Sequence, residues 1–260
     1  MTTPKRVLIA CERSGIVRRA FSALGHDAWS CDTHKSEDGS NRHIVGDARD
    51  YLNDGWDLLM VAHPPCTRLC NSGVRWLTEP PANRQPDYPQ EYNLWNREQR
   101  LEWLWCSLDK GAELFSAFWN APIDRIAVEN PVMHKHAKQR ITNYQPFAQS
   151  VQPWQFGDDP SGPDNVKKRT CLWLKGLPPL RPTGALDGST ARADIHKASP
   201  GPNRAVERSR FYPGLALAMA RQWGGITNDC AYDLTPSGLQ FVLPGCEKDL
   251  QRKSGQQSLR

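Results

Sequence analysis

WDLLMVAHPPCTRLC, residues 56–70, is the stretch on which the reading of this chain turns. Its first half, WDLLMVAH (56–63), is a short apolar run and reads as a buried strand. Two prolines follow at once. Proline has a fixed φ and no N–H for a sheet ladder, so the strand ends in a stiff exit. Cys66 is the first residue beyond that exit; Cys70 follows four positions on, and His63 stands three positions before.

Working outward, KRVLIA (5–10) is a second buried strand, ending at Cys11. SGIVRRAFSALG (14–25) carries Ile16, Val17, Ala20, Phe21 and Leu24 at helical spacing and closes on Gly25. HDAWSCD (26–32) is a short strand ending in Asp32, and HIVGDARDYL (43–52) holds an apolar pair, a Gly-Asp turn and one helical turn. Residues 77–91 are proline-rich and polar and read as a loop. From Tyr92 to Trp119 the apolar spacing predicts a long amphipathic helix, weakened at Gly111. DRIAVEN (124–130) and KRTCLWL (168–174) read as strands, 176–210 as irregular chain, and PGLALAMARQW (213–223) as a helix opened by Pro213 and stopped by Gly224-Gly225.

Short apolar strands alternating with helices imply an α/β fold, with a mostly parallel sheet and helices on both faces. Such sheets bind ligands outside the carboxyl ends of their strands. Cys11, Asp32, Cys66 and Glu129 all fall at or just after predicted strand ends, which puts acids and a thiol on one rim.

The chain's 260 residues suffice for one α/β domain, alone or with an appendage. Its formal net charge is +5. Between Ser161 and Arg210 there are ten Lys/Arg against four Asp/Glu, so this segment carries +6 and the rest about −1. A basic segment on a near-neutral body suits either a phosphate-contacting face or a solvated loop. No run has the length of a membrane span, and the N-terminus lacks a secretory h-region. A cytoplasmic chain without membrane association is expected, its eight cysteines reduced.

Cys66 then has three readings. Zinc is disfavoured: a zinc nucleobase deaminase needs H-x-E with P-C-x-x-C, whereas here the second element is P-C-x-x-x-C and H-x-E is absent. A buried structural thiol is the ordinary fate of cysteine, and it is the expectation for Cys106 and Cys171, which lie on apolar patterns. A nucleophile needs a thiolate near an acid or base, and Glu129 at another strand end supplies one. Cys70 is expected to be a bystander, not a partner of Cys66. His134 and His136, two positions apart, are not read as a metal site; no metal is expected. Glu12 and Arg13 are expected to pair on the rim. Among the tryptophans, Trp76 and Trp154 are the loop candidates for stacking on bases.

P-P-C after a buried strand, E-N-P after a later one and a basic segment leading into a further strand resemble the C5-cytosine DNA methyltransferase family. ACERSGIVRRAFSALGHDAWSCD resembles the family's opening strand, turn and helix, and YPGLALAMARQWG its last helix. HPPCTRLCNSGVRWL, ENPVMHKH, QPWQFG and CLWLKGLPPL narrow the resemblance to compact phage- or prophage-type members. It covers about residues 5–225. KKR (167–169) stands where the family has Gln-Arg-x-Arg, and only 38 residues lie between Trp173 and Tyr212, where larger members hold a target-recognition domain.

The resemblance implies a Rossmann-like S-adenosylmethionine-dependent methyltransferase fold over residues 1–225. Residues 176–210 would be a reduced recognition segment and 226–260 a peripheral extension. It implies S-adenosyl-L-methionine as cofactor and DNA as partner, with a monomer expected, in the bacterial host cytoplasm if phage-encoded. Cys66, Glu129, Asn130 and Arg169 would be catalytic. Cys11, Glu12, Gly15, Asp32, Asp47 and Pro64 would bind the cofactor, and Lys167, Lys168 and Arg169 the nucleic acid. The same chemistry on RNA or a free cytosine nucleotide, and a non-catalytic nucleic-acid-binding relative, are the alternatives.

Overall fold

The computed structural model describes residues 3–193 and 211–225, together with the backbone of 232–235 and 238–241. Five strands, β1 (Arg6–Ala10), β2 (Asp27–Asp32), β3 (His43–Val45), β4 (Leu58–Val61) and β5 (Ile126–Asn130), run parallel in the order β3-β2-β1-β4-β5. Two more, β6 (Gln149–Val151) and β7 (Thr170–Lys175), complete a seven-stranded mixed sheet, with β7 inserted antiparallel between β5 and β6. The sheet is mostly parallel, as expected; β7 runs antiparallel to both of its neighbours, and β6 was not foreseen. β6 is three residues long and carries too little apolar pattern to read.

Successive residues of each strand point to opposite faces. Leu8, Ala10, Leu59, Val61, Ile126 and Val128 meet α2 (Arg97–Trp119), while Val7, Ile9, Leu58, Met60 and Ala127 meet α1 (Ile16–Ala23) and α4 (Pro213–Gly224). A short α3 (Lys135–Arg140) follows β5 and packs against α2. Burial on both faces explains why the central strands read as continuous apolar runs.

The long helix starts at Arg97, where Asn96 and Gln99 form a reciprocal capping box, and not at Tyr92. Gly111 does not interrupt it. A side chain built there would meet only Leu69 at 3.4–3.9 Å, so the glycine lies against the loop after β4. Leu104, Leu108, Ala112, Phe115 and Phe118 form the buried stripe, and Cys106, off that stripe, is exposed, which corrects its assignment to the core. Cys171 is buried as expected. His134 is not in a strand: it caps α3, its Nδ1 accepting from the Ala137 N–H.

At the other face, Asp164 accepts the Gly214 N–H and caps α4. Gly214 itself lies where any Cβ would stand 2.1 Å from the Phe156 carbonyl, so the QPWQFG turn is packed on the start of this helix. Strands β8 (Tyr232–Thr235) and β9 (Gly238–Phe241) pair antiparallel as a separate sheet. Within the expected recognition segment, residues 194–210 lie outside the described residues, as does most of 226–260. No helix among the described residues is long and apolar enough to cross a membrane.

Candidate active site

The strand order reverses between β1 and β4: the chain moves outward to β2 and β3, then returns to build β4 and β5 on the other side. Loops leaving two such strands diverge and open a crevice at their carboxyl ends. Cys11 to Gly15 leave β1 there, and His63 to Cys66 leave β4.

On the β1 side the backbone turns sharply. Cys11 and Gly15 both have positive φ, 57° and 67°. At Gly15 a side chain would be strained by that φ and would also stand 2.5 Å from Arg18 and 2.6 Å from Asp38, so glycine is the fitting residue. Asp32 and Asp47 lie close enough to Cys11 for their charge to oppose its ionisation, which burial already disfavours most. Asp32 uses Oδ1 to accept from the His34 N–H at 2.9 Å. Asp47 caps a turn and is clasped by Arg49, which holds its carboxyl below the usual range.

Glu12 is not paired with Arg13, which reaches Glu37 at 3.7 Å instead. Its buried carboxylate accepts the N–H groups of Val17 and Arg18 at 2.7 and 3.1 Å. These are orphan donors of the first turn of α1, so the anion-binding end of the helix is filled by the chain's own carboxylate. Burial lifts Glu12 to about 7 against the pull of those donors.

On the β4 side the loop is sewn to the loop after β5. Asn71 N–H donates to the Val132 carbonyl, His134 N–H donates to Leu69, and Cys70 bridges Met133. His134 Nδ1 is an acceptor, so Nε2 carries the proton it gives to the Arg68 carbonyl at 2.7 Å. The Arg68 guanidinium lies over the Tyr88 and Trp103 rings and pairs with Asp87. This buried arginine anchors the proline-rich loop beneath the cysteine.

Cys66, Glu129, Lys168 and His63 form one cluster. Cys66 is half-buried; Glu129 is 6 % exposed and burial lifts it to about 7, even though the Lys168 charge pulls the other way. His63 is held neutral by burial and by Lys168, packs against the tilted Phe211 ring at 5.4 Å, and its Nε2 has no partner among the described residues. Lys168 Nζ lies 5.4 Å from the Tyr212 ring centre. Sequence reasoning did not assign His63, Phe211 or Tyr212 to the site, although His63 and Tyr212 open motifs it had marked and Phe211 directly precedes one.

Two expected members stand apart. Strand alternation sends Glu129 to the α1/α4 face with Ala127, and Asn130 to the α2 face with Val128 and Cys171. By the same parity Lys168 follows Glu129, while Arg169 hydrogen-bonds Ser150 at 3.1 Å and lies against Cys171. Arg169 is therefore not brought to Cys66 and Glu129, and Lys168 takes the cation's place. Lys167 is exposed, and its N–H is fixed on the Arg192 carbonyl. Asn130 is fully buried, and neither its amide nitrogen nor its oxygen has a partner among the described residues. Pro64 is buried and Pro65 exposed. Trp76 and Trp154 are only half exposed, the first covered by Arg75 at 4.2 Å and the second packed on Gly188.

The Cys70 N–H donates to the Cys66 carbonyl at 3.0 Å, one helical turn on, and its Sγ donates to the Thr67 carbonyl at 3.9 Å and lies 3.0 Å from the Ser72 hydroxyl. The neighbouring Cys70 thiol and burial push Cys66 up, whereas the neighbouring Cys66 thiol and the Ser72 hydroxyl pull Cys70 down. Both are free thiols, and no group of three or more metal-ligating side chains occurs among the described residues. The chain matches no protein-family model and no curated protein.

Proposed function

We propose that this chain is an S-adenosylmethionine-dependent methyltransferase acting on C5 of cytosine in DNA through a covalent Cys66 adduct. The observation that carries the reading is the juxtaposition, in one crevice, of the Cys66 thiol with a buried Glu129 lifted to about 7. A carboxyl with that affinity is partly protonated at neutral pH and can give a proton to an acceptor, which an ordinary glutamate cannot.

The first crevice wall suits a sulfonium cofactor better than a dinucleotide. Glu12 occupies the donors of α1 on which a pyrophosphate would sit, and Asp32 and Asp47 add negative charge nearby. Asp32 ends β2, where an acid accepts from ribose hydroxyls in nucleotide folds, and Cys11 to Gly15 offer close backbone. Asp47 would meet an adenine amino group. When bound, S-adenosylmethionine supplies the methyl electrophile. The reversal at β1 and β4 supports reading the fold as the Rossmann-like one of this class.

The remaining steps belong to the chain's own residues. Cys66 Sγ attacks C6 of cytosine while Glu129 protonates N3, which makes C6 electrophilic and leaves C5 an enamine carbon. After methyl transfer a base removes the C5 proton, and the C6–S bond breaks as Cys66 leaves. Lys168, beside both residues, favours the anionic forms of each and can hold the base edge or a phosphate. In a duplex the cytosine must be flipped from the stack to reach this crevice. The 38 residues between Trp173 and Tyr212 leave little room for a recognition domain, which supports RNA or a nucleotide as the second substrate reading.

The test uses 5-fluorocytosine in single-stranded DNA, duplex DNA, RNA and a free nucleotide, each with cofactor. Fluorine cannot depart as a proton does, so the Cys66 adduct should accumulate on the true substrate and vanish in Cys66→Ala. An adduct of equal yield in Cys66→Ala, or none on any substrate, rejects the mechanism.

A further inference from the structure

The loop after β4 and the helix α3 carry cations that the chemistry above does not use. We infer that they form a docking face for the single-stranded DNA flanking the target cytosine, so that the substrate is a polynucleotide and not a free nucleotide. The inference rests on the proposed cytosine chemistry for the identity of the central base; the face itself can be tested without any reaction.

Two stretches build this face. From Leu58 to Thr78 the chain has no Asp or Glu, and from Asn130 to Gly157 it has none again, against Arg68, Arg75, Lys135, Lys138 and Arg140. Backbone bonds join the two stretches beside Cys66. The Cys66 carbonyl accepts the N–H groups of Leu69 and Cys70 at 2.9 and 3.0 Å, and the Leu69 carbonyl accepts the His134 N–H at 3.1 Å. His134 caps α3, so that helix begins against the turn that Cys66 opens. On the other flank Gly73 presses on the same turn: a Cβ there would stand 2.0 Å from the Thr67 carbonyl. The helical turn Val74–Leu77 follows at once. Arg75 and Lys135 therefore belong to one hydrogen-bonded unit that holds the thiol.

Lys135 and Lys138 are exposed and, three positions apart on α3, share one side. Arg75 is exposed, with its guanidinium 4.2 Å from the Trp76 ring centre. A guanidinium held on an indole keeps its outer face for a base and its in-plane donors for a phosphate. Nearby acids are engaged elsewhere: Asp87, Glu79 and Asp109 pair with Arg68, Arg97 and Arg140. Lys168 goes with Glu129 to the α1/α4 face, whereas α3 packs on α2, so the two basic groups approach the thiol from opposite faces of the sheet. Cations interleaved with aromatic rings suit a single strand, whose phosphates take the charges and whose unstacked bases take the π faces. A duplex keeps its bases stacked on one another, and a free nucleotide fills only the crevice.

Fluorescence anisotropy of the full chain with a labelled single-stranded DNA containing one cytosine reads this face. Lys135→Ala with Lys138→Ala should weaken binding about tenfold or more and lower the salt slope of log K by about 1.4, two phosphates at about 0.7 each. Arg75→Lys keeps the charge but not the flat stack, so it should keep the slope and still bind about fivefold more weakly. Arg181→Ala should do neither, because Arg181 lies at the other end of the sheet, its N–H bonded to Gln222 near the end of α4. Wild-type binding by the double variant, an equal loss in Arg181→Ala, or a slope loss on RNA or duplex but not on single-stranded DNA overturns the inference. The 5-fluorocytosine adduct separates the face from the chemistry. The double variant should need about tenfold more oligonucleotide for half-maximal trapping and reach the wild-type rate at saturation. If the slopes change but nothing is trapped, the face stands and the cytosine reading falls. If wild type traps cytosine and the variants trap it equally at every concentration, or a free nucleotide is trapped as fast as the strand, the cytosine reading stands and the docking face falls.

Discussion

Glu129, deprived of water by burial, binds its proton more tightly in the folded chain than an ordinary glutamate does, at about 7 against the usual 4.5. Between those values the folded chain holds a proton that the unfolded chain has lost, so stability falls as pH rises across that window. Glu129→Gln removes this share of the slope and should raise stability at pH 8 by on the order of 1–3 kcal/mol, read by denaturant unfolding. The same variant should slow adduct formation by about 100-fold or more, and wild-type adduct formation should decline above about pH 7. Asn130 presents the opposite balance. Its buried amide has no partner among the described residues, so Asn130→Leu should raise the unfolding free energy by about 1 kcal/mol, with adduct yield measured beside it. A stabilised variant with reduced adduct would mark Asn130 as a group kept for function at the expense of stability. At this scale Cys66 and Glu129 were legible because each ends a readable strand. Arg169 was not, since neighbouring residues of a strand face opposite ways and the sequence does not say which faces the site.

At the scale of elements, α2 illustrates a local preference overridden by packing. Glycine costs a helix interior roughly 1 kcal/mol relative to alanine, which is why a weak point was expected at Gly111. The helix passes through it unbroken, carried by its buried stripe and capping box. A methyl group there would make ordinary contact with Leu69, so Gly111→Ala should stabilise the fold by about 0.5–1 kcal/mol, seen as a higher midpoint of thermal unfolding. An increase larger than that, or a loss, would mean the loop after β4 moves with the helix. The capped turn at Asp47 and the helices begun at Ile16 and Pro213 were readable from glycine, acid and proline positions. The pairing of the loops after β4 and β5 was not, because it joins backbone groups about 60 residues apart that carry no sequence pattern.

For the whole molecule, the reversed β7 matters most. In a parallel strand the residues before it would lie on the rim opposite the site. Because β7 runs antiparallel to β5, its leading segment, Lys167 to Arg169, arrives at the carboxyl ends of β4 and β5. The basic segment thereby meets the thiol and the acid. Lys167, exposed on that rim, should contribute charge without base selectivity. Lys167→Ala should weaken binding to all DNA sequences alike and lower the salt-dependence slope of log K by about 1, measured by fluorescence anisotropy. A sequence-selective loss would instead give Lys167 a base contact.

The sequence by itself determined the layers of this protein, the first two strands and their connecting helix, the stiff exit into Cys66 and the acid at the end of β5. Apolar period, proline and glycine act locally, and these features follow from them. Only the tertiary structure decided that β7 is reversed and that Lys168 and not Arg169 lies with Glu129. Both depend on strand direction and face parity, and such relations are fixed by contacts between distant backbone groups, not by the identity of any residue alone.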